Sequence, residues 1–326
     1  KGMMNISGKR ILISGGSGSW GRELARQLIP MCPDEIVIFS RGEISQVDME
    51  RTFNNPLLKF VIGDIRDARA VDEVMKGIDI VFQLAALKHV PICENHPIEA
   101  VMTNVIGIEN LIGAAIRNKV KKFIDVSTDK AVHPLNVYGM SKGIGERMTI
   151  QANQRRSDTD FICIRGGNVL GTNGSLVPYV IKMIRERNRV NVTDERMTRF
   201  FLTIQQAVHL LFFALNGKGG ETYVINMPSF RIMDLIDLLI GYYGNSSTEV
   251  VIIGAREGEK LHEVLISEHE APRSYIVDSD HYVVCPDIDT GRTYDFRNIY
   301  GKSLSSSDNI RDKDYLKQLL ILGGWM

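Results

Sequence analysis

Short apolar runs alternate with stretches of helical period along the first half of the chain. The runs are residues 10–14, 35–40, 59–63, 78–84, 122–127 and 161–165. Because nearly continuous Val, Ile, Leu and Phe are typical of strands covered on both faces, these runs predict buried β-strands. Helices are predicted between them, over residues 18–29, 44–53, 68–75, 97–118 and 136–152. Such strict alternation predicts a parallel sheet with helices on both faces.

The pattern changes after residue 166. Gly and Asn are frequent in residues 166–174, which predicts a loop, and residues 190–199 are polar and predict an irregular segment. The remaining predicted elements are helices over 176–187, 204–215 and 314–322, strands over 222–225 and 250–253, and a linker over 301–308. The C-terminal third is therefore predicted to be a smaller unit laid over one edge of the sheet.

Composition excludes several classes of protein. The chain has 326 residues, 44% of them hydrophobic, and its 39 basic and 39 acidic residues give no net charge. Extensive disorder is therefore excluded, and no global charge favours binding to nucleic acid or to an anionic membrane. Since no run of 18 apolar residues and no apolar segment behind the N-terminus is present, we expect a cytoplasmic protein without a membrane span or secretory signal.

The residue types that bind metals are widely spaced. The four cysteines form no C-x-x-C pair, and the seven histidines show no H-x-x-x-H spacing. We therefore expect no metal site, no disulfide framework and a reducing compartment.

A glycine-rich turn, GGSGSWG (residues 15–21), follows the first predicted strand and precedes the first helix. Gly15, Gly18 and Gly21 give the spacing G-x-x-G-x-x-G. Glycine permits the backbone angles of such a turn and a close approach to a pyrophosphate, which the positive end of the helix dipole then attracts. In this position between strand and helix, the turn predicts a dinucleotide site and a doubly wound parallel (Rossmann) sheet.

The end of the second strand distinguishes two dinucleotides. NAD sites usually have an Asp or Glu there for the ribose hydroxyls, whereas an Arg accommodates the 2′-phosphate of NADP. This chain has Ser40 and Arg41, with no acid before Glu43. NADP is therefore predicted in preference to NAD, the alternative being a solvated Arg in a loop. Asp64, after the third strand, is a candidate for binding the adenine amino group or, alternatively, for capping its own loop.

Tyr138 and Lys142 are spaced Y-x-x-x-K in a predicted helix, so their side chains lie on one face. An ammonium beside a phenol lowers the pKa of the phenol and makes it a usable general base. The fifth strand ends in Thr128, Asp129 and Lys130, at the sheet edge where ligands bind. We therefore expect a hydroxyl, a carboxyl and an amine close to Tyr138. The alternative is that Asp129 and Lys130 form an exposed ion pair.

Eight segments carry a resemblance to a known family. They are GGSGSWG (15–21), FSRGE (39–43), GDIRD (63–67), QLAALKHVP (83–91), STDKAVHPLNVYGMSK (127–142), GGNVLGTNGSLVP (166–178), TDERMTRF (193–200) and REGEKLHEVLI (256–266). In these segments the chain resembles the extended short-chain dehydrogenase/reductase superfamily. Within it, the chain is similar to the soluble, C-5-inverting 4,6-dehydratases that act on UDP-N-acetylglucosamine. The resemblance covers most of residues 8–270.

The resemblance implies a redox cycle that consumes no net cofactor. Tyr138, assisted by Lys142 and Thr128, would take the proton of the sugar 4-hydroxyl while C-4 passes its hydride to NADP. Lys130 would then remove the C-5 proton, and Asp129 would protonate the departing 6-hydroxyl. Hydride would return to C-6 and a proton to C-5, with inversion there. We expect the pKa of Lys130 to be lowered, because only a neutral amine is a base.

The resemblance also implies binding residues. Those expected for the cofactor are Gly15, Gly18, Ser19, Trp20, Gly21, Ser40, Arg41, Asp64, Ile65, Ala85, Ala86, Lys88, Asn104, Tyr138 and Lys142. Those expected for the UDP-sugar are Lys88, Asn168, Val177, Thr193, Met197, Arg199, Arg256 and Glu259. Glu259 and Glu263, on a following helix, could equally pair with the same arginines. The family has an aromatic residue where this chain has Gly166, which leaves a gap near the sugar.

These implied functions give the predicted segments a domain assignment. Residues 8–166, with 201–226 returning to them, would form the dinucleotide-binding domain. Residues 167–200 and 227–300 would form the substrate-binding domain, and residues 301–326 a linker and terminal helix. In relatives of this fold, the helix equivalent to residues 97–118 and the Tyr138 helix form a dimer interface, so a homo-oligomer, a dimer or higher, is expected.

Two other functions remain open at this point. One is a nucleotide-sugar 4-epimerase or reductase that uses the same Tyr138 and Lys142. The other is a non-catalytic, NADP-binding regulator. Asp129 and Lys130 favour the dehydratase, because epimerisation needs no acid for a leaving hydroxyl and a pure binding protein needs no base.

Overall fold

The structure is a computed structural model that describes residues 4–155, 157–172, 174–255, 257–287, 297–299 and 301–326. Its strands are β1 Arg10–Ser14, β2 Glu35–Ser40, β3 Leu58–Ile62, β4 Ile80–Gln83, β5 Lys122–Thr128, β6 Asp160–Gly166, β7 Asn168–Val169, β8 Arg189–Val192, β9 Thr198–Leu202, β10 Thr222–Ile225, β11 Ser229–Arg231, β12 Glu249–Ile252, β13 Val264–Ile266, β14 Ser274–Ile276, β15 His281–Val284, β16 Arg297–Asn298 and β17 Leu304–Ser305. Its α-helices are α1 Ser19–Leu28, α2 Glu43–Phe53, α3 Ala68–Val74, α4 Val90–Asn95, α5 Pro97–Val101, α6 Gly107–Arg117, α7 Val137–Gln151, α8 Leu176–Arg187, α9 Ile204–Ala214, α10 Ile232–Tyr243 and α11 Lys313–Leu322.

A ten-stranded sheet forms the centre of the molecule, in the order β16-β14-β15-β10-β6-β5-β4-β1-β2-β3. The seven strands from β10 to β3 are parallel, and the three at the other edge are antiparallel. Successive residues of β1 show why both faces are covered: Ile11 and Ile13 pack with α1 and α9, whereas Leu12 packs with α3 and α6. The predicted doubly wound α/β fold is therefore confirmed.

A smaller part of the chain has its own core. Helices α8, α10 and α11 surround a cluster that includes Val180, Leu235 and Leu316. Three small sheets accompany it, formed by β11-β9-β7, by β12-β8 and by β13-β17. This arrangement adds smaller C-terminal sheets to the large one.

The segment predicted to be irregular, residues 190–199, instead contributes to two strands, β8 and β9. All five residues of β9 are buried. The guanidinium of Arg199 is accommodated because it donates to the backbone carbonyls of Thr198, Lys260 and Leu261. Polar residues in a buried strand need such partners, which the sequence pattern does not reveal.

Other elements also differ from the expectation. Helices α4 and α10 and strands β14 and β15 were not predicted, and β14 and β15 join the large sheet although they fall within the predicted substrate-binding segment. Residues 301–308 are more than a linker, because β17 pairs with β13 and the neighbouring Ser306 is fully buried.

The helix predicted over residues 97–118 consists of α5 and α6 joined by a π-helical turn, Met102–Ile106. Ile108 and Leu111 pack on the sheet, whereas Ile98 is exposed. Among the described residues, Pro97–Arg117 is the one helix long and apolar enough to cross a membrane by length and composition, and half of its apolar window is buried inside the protein.

Candidate active site

The glycine turn between β1 and α1 has the shape that a pyrophosphate requires. Gly15 has a φ of +68°, and a Cβ atom there would lie 2.7 Å from Ala85 N, so no larger residue fits. Helix α1 begins after Gly18 without a side-chain cap, and its first turn contains no acidic residue. The positive end of the helix dipole therefore remains available for an anion. These residues fit a dinucleotide.

Arg41 and Asp64 lie side by side after β2 and β3. The Arg41 side chain is 55% exposed, and its Nη1 is 3.8 Å from Asp64 Oδ2. Asp64 accepts hydrogen bonds from the backbone N–H and guanidinium of Arg66, at 2.9 and 2.8 Å, and so caps its own loop. Burial opposes the charge of Asp64, but Arg66 and Arg41 outweigh it and lower the pKa of that carboxyl. Arg41 is thus open to a phosphate, while Asp64 is engaged within its loop.

Asn104 lies in the π-helical turn and is fully buried. Its amide accepts from Leu87 N at 2.8 Å and donates to Leu87 O at 2.9 Å and to Ser141 Oγ at 3.0 Å. Asn104 therefore holds the loop after β4 against α7. That loop carries the predicted cofactor residues Ala85, Ala86 and Lys88, and partial desolvation lowers the pKa of Lys88.

Two of the residues predicted to bind the cofactor, Ile65 and Ser40, already contact other side chains or backbone of the protein. Ile65 is buried, and a Cβ atom at Gly107 would lie 2.6 Å from its side chain. The gap expected at Gly166 borders Trp20, since a Cβ atom there would lie 3.6 Å from the indole. The Ser40 hydroxyl accepts a hydrogen bond from Gln46 at 2.9 Å.

Strand β5 ends at Thr128, and a single 3₁₀ turn, Asp129–Ala131, follows it. Thr128 Oγ1 and Lys130 Nζ both donate to Asp129 Oδ1, each at 3.0 Å. The Asp129 side chain is fully buried and that of Lys130 is 22% exposed. The pair is therefore internal, and it is not the exposed ion pair that the sequence left open.

Glu263 approaches the same pair from the smaller part of the chain. Its Oε1 lies 3.4 Å from Lys130 Nζ and 3.8 Å from Arg199 Nε, and its Oε2 lies 3.6 Å from Lys260 Nζ. The residues before β13 form turns rather than the expected helix. The sequence suggested an arginine partner for Glu263 but not its contact with Lys130.

The expectation of a lowered pKa at Lys130 is wrong. Burial opposes the ammonium, but the carboxylates of Asp129 and Glu263 outweigh it and raise the pKa of Lys130. Burial also raises the pKa of Asp129, although Lys130 acts in the opposite direction. The base needed for a proton abstraction thus rests as an ammonium, beside a carboxyl group whose pKa is also raised.

Tyr138 and Lys142 share one face of α7, and Lys142 Nζ lies 3.6 Å from Asp125 Oδ1 of β5. Both side chains of this ion pair are buried, which the sequence did not predict. The expectation that the pKa of the Tyr138 phenol is lowered is also wrong for the protein without a bound cofactor. Burial raises the pKa of the phenol more than Lys142 and Lys130 lower it.

Only some of the residues predicted to bind the UDP-sugar lie beside the Asp129–Lys130 pair. Asn168 Oδ1 lies 3.5 Å from Lys130 Nζ, which brings Asn168 to the acid–base pair. Glu259 lies 4.0 Å from Arg199, as the alternative of an arginine partner anticipated. Arg199 was expected to contact the diphosphate, but its guanidinium is buried and donates to backbone carbonyls. It is therefore not exposed to a ligand in this structure. Arg256 lies outside the described residues.

Of three further predicted substrate residues, Val177 and Met197 are buried and Thr193 is half-buried. Val177 and Met197 are buried in the core between α8, α10 and α11. Thr193 Oγ1 lies 3.2 Å from Met197 Sδ. These side chains shape the smaller unit. Within the residues that the structure describes, no group of three His, Cys, Asp or Glu side chains could hold a metal ion.

The parallel sheet, the glycine turn and the Tyr138–Lys142 helix define a class: the extended short-chain dehydrogenase/reductase enzymes that modify nucleotide sugars. Comparison with known proteins specifies the family. A family model described as "Polysaccharide biosynthesis protein" matches residues 11–285, and the chain belongs to that family.

Curated relatives carry three different names. The chain is 43% identical over 271 residues to an uncharacterized membrane protein of Methanocaldococcus jannaschii, covering 80% of this chain and 81% of that protein. It is 41% identical to a UDP-glucose 4-epimerase of Rickettsia canadensis, covering 82% and 80%. It is 38% identical to an inverting UDP-N-acetylglucosamine 4,6-dehydratase of Campylobacter jejuni, covering 86% and 84%. Dehydratase and epimerase are therefore equally supported by similarity.

Solved structures agree on the fold. The structure of Pen from Bacillus thuringiensis has a TM-score of 0.94 at 33% identity, covering 99% of this chain and 100% of that one. The dTDP-glucose 4,6-dehydratase DesIV from Streptomyces venezuelae, solved with NAD bound, has a TM-score of 0.71 at 24% identity, covering 77% and 86%. The family binds NAD or NADP.

Proposed function

We propose that this protein is an NADP-dependent 4,6-dehydratase of UDP-N-acetylglucosamine that inverts C-5. The observation that carries the proposal is the internal Asp129–Lys130 pair beside Thr128, at the end of β5. An oxidation at C-4 alone needs one base, which Tyr138 supplies. Loss of water additionally needs a base for C-5 and an acid for the leaving hydroxyl, and the pair contains both groups.

A single proton transfer prepares the pair. Lys130 gives one ammonium proton to the Asp129 carboxylate, which yields a neutral amine and a neutral carboxylic acid. The amine then takes the C-5 proton, and Asp129 gives its proton to the 6-hydroxyl, which leaves as water. The ammonium and carboxylate are thereby restored, so that no external acid or base is consumed. The raised pKa of Asp129 favours its role as the acid.

The cofactor would be held by the Gly15 turn and the start of α1, with Arg41 at the 2′-phosphate. Bound there, it would supply the hydride acceptor for C-4, the hydride donor for C-6 and a positive charge that favours the ionised Tyr138 phenol. Lys142 adds a second positive charge to the phenol from one turn along α7. Thr128 and Tyr138 together orient the sugar 4-hydroxyl.

Proton NMR of the protein with UDP-N-acetylglucosamine in deuterated water tests the proposal. A new methyl signal from a 4-keto-6-deoxy sugar, with deuterium at C-5, is expected, and the ring coupling constants should show inversion. Lys130→Ala should lose the methyl signal while C-4 oxidation remains visible as NADPH absorbance. Unchanged substrate, or its 4-epimer, from the wild-type protein would refute the dehydratase and favour the epimerase.

A further inference from the structure

Glu263 reaches the acid–base pair from a distant part of the chain. Its side chain is 3% exposed, and Oε1 lies 3.4 Å from Lys130 Nζ. Asp129 Oδ1 lies 3.0 Å from the same nitrogen. The amine of Lys130 is thus held between two carboxylates, one at the end of β5 and one immediately before β13.

The backbone of Glu263 is held by hydrogen bonds to Ser306, which do not involve its side chain. Its N–H donates to Ser306 Oγ at 2.9 Å, and its carbonyl accepts from Ser306 N–H at 2.8 Å. Ser306 Oγ also lies 2.7 Å from Thr198 Oγ1 of β9. Because its backbone is anchored in this way, the Glu263 carboxylate can hold the Lys130 amine in one position.

Several titratable or charged groups of the described residues surround the Asp129–Lys130 pair. They are Tyr138 of α7, Arg199 of β9, and Glu259, Lys260 and Glu263 from the turns before β13. Burial opposes the charge of Glu263, but Lys130, Arg199 and Lys260 outweigh it and lower the pKa of that carboxyl. Glu263 is therefore ionised at neutral pH, and its Oε2 accepts no hydrogen bond from the part of the chain that the structure describes.

We propose that Glu263 is a positioning residue for Lys130: it holds the amine at the end of β5 and favours its protonated form. The ammonium is therefore regained after the amine has given up a proton to Asp129 and taken one from the substrate. Glu263 achieves this without touching the reacting atoms. The catalytic meaning of this inference rests on the proposed dehydratase function, whereas the contact with Lys130 does not.

Competitive labelling of lysines with a small amine-reactive reagent across a pH series, read by mass spectrometry, tests the proposal without substrate. In Glu263→Gln, Lys130 should titrate about one pH unit lower than in the wild type, because one of its two anionic neighbours is neutralised. Glu263→Asp, which keeps the charge, should remain close to the wild type. Glu268→Gln removes a 64% exposed carboxylate from the same segment and should leave Lys130 unchanged.

An unchanged titration of Lys130 in a natively folded Glu263→Gln protein would overturn the proposal. If that variant does not fold, Ser306→Ala provides the test, because it loosens the Glu263 backbone while keeping the charge. A smaller downward shift is expected there, and no shift would contradict the proposal. Lys59, whose side chain is 58% exposed, serves as the internal reference in each sample.

The catalytic consequence has a separate measurement. In Glu263→Gln, C-4 oxidation should persist, and the pH at which deuterium exchange at C-5 begins should move together with the titration of Lys130. A wild-type protein that forms no 4-keto-6-deoxy sugar would remove the proposed function and leave the labelling result standing. If the wild type does dehydrate the sugar but the titration of Lys130 is unchanged in Glu263→Gln, only this inference is removed.

Discussion

In the proposed mechanism Lys130 is the base and Asp129 the acid, and in the structure the two side chains form an ion pair. Their shared contact at 3.0 Å stabilises the charged form, and the buried side chain of Asp129 brings the neutral form within reach of one proton transfer. A more exposed pair would be screened by water and held too loosely to act on a sugar. The burial that makes the charges costly therefore also makes the pair useful.

Arg41 allows a direct test of cofactor choice at the residue scale. Its side chain is 55% exposed and only weakly paired with Asp64. Arg41→Ala should weaken NADP binding by roughly 10- to 100-fold, about 1.5–3 kcal/mol, and change NAD binding little. Isothermal titration calorimetry with both dinucleotides measures the difference. Arg51→Ala, on the following helix, is the matched control, and equal losses for the two dinucleotides would contradict the assignment.

Some residues of the site could be predicted from the sequence and others could not. Thr128, Asp129, Lys130 and Tyr138 are close in sequence, and strand and helix periodicity is enough to bring them to one sheet edge. Glu263 could not be placed beside Lys130, because its position depends on turns and on Ser306. The directions of the pKa shifts at Lys130 and Tyr138 were also missed, because they depend on burial and on carboxylates supplied by the tertiary structure.

Elements buried on both faces were predicted best. Strands β1 and β2 were predicted with their observed ends, because continuous apolar runs have few alternative structures. Strand β9 was missed because Thr198 and Arg199 are polar and are buried only with hydrogen-bond partners from other segments. Strands β14 and β15 belong to the same category, since their pairing at the antiparallel edge depends on long-range contacts.

Arg165 of β6 joins two elements through buried ion pairs and gives a prediction at the element scale. It donates to Glu146 of α7 and to Glu270, the residue preceding a short 3₁₀ turn. Burial opposes the charge of Glu270, but Arg165 and Ser267 outweigh it and lower its pKa to about 2. Because this folded-state pKa is below the unfolded value, the stabilisation is present above about pH 4.5 and is lost as the pH falls toward 2.

Glu270→Gln should therefore reduce the free energy of unfolding near pH 7 by on the order of 3 kcal/mol. The difference from the wild type should shrink as the pH is lowered below about 4.5. Urea unfolding at pH 7, 4.5 and 3.5 measures it, with the exposed Glu268→Gln as control. A difference that is constant or grows on acidification would contradict the role of the Arg165–Glu270 pair.

At the scale of the whole molecule, an apolar face formed by described residues of α5 and α7 is exposed. Helix α7 packs beside α5 and α6. Apolar side chains are exposed on α5 and on α7, including Ile98 at 69%, Met140 at 48% and Ile144 at 49%. Burial against the sheet explains Ile108 and Leu111 but not these residues. A second copy of the chain on this face would cover them, and the homo-oligomer expected from the sequence stays a prediction.

Ile144→Glu should convert that oligomer to a monomer, because a charge at the centre of an apolar interface is desolvated without a partner. Sedimentation velocity over a range of concentrations measures the change. Leu322→Glu, at a 76% exposed apolar position on α11, should leave the assembly intact. A monomeric wild type, or an Ile144→Glu protein that still associates, would exclude this face as the interface.

The two hydrogen bonds between Ser306 and Glu263 also have a consequence for biosynthesis. Chains emerge from the ribosome N-terminus first, so the segments that carry the glycine turn and Tyr138 are available to fold long before Ser306 is translated. On the proposed roles, a nascent chain could hold a dinucleotide while the amine of Lys130 still lacked its second carboxylate. Completion of the chain would then add the carboxylate that holds the Lys130 ammonium, so the acid–base pair would reach its final arrangement later than the dinucleotide site.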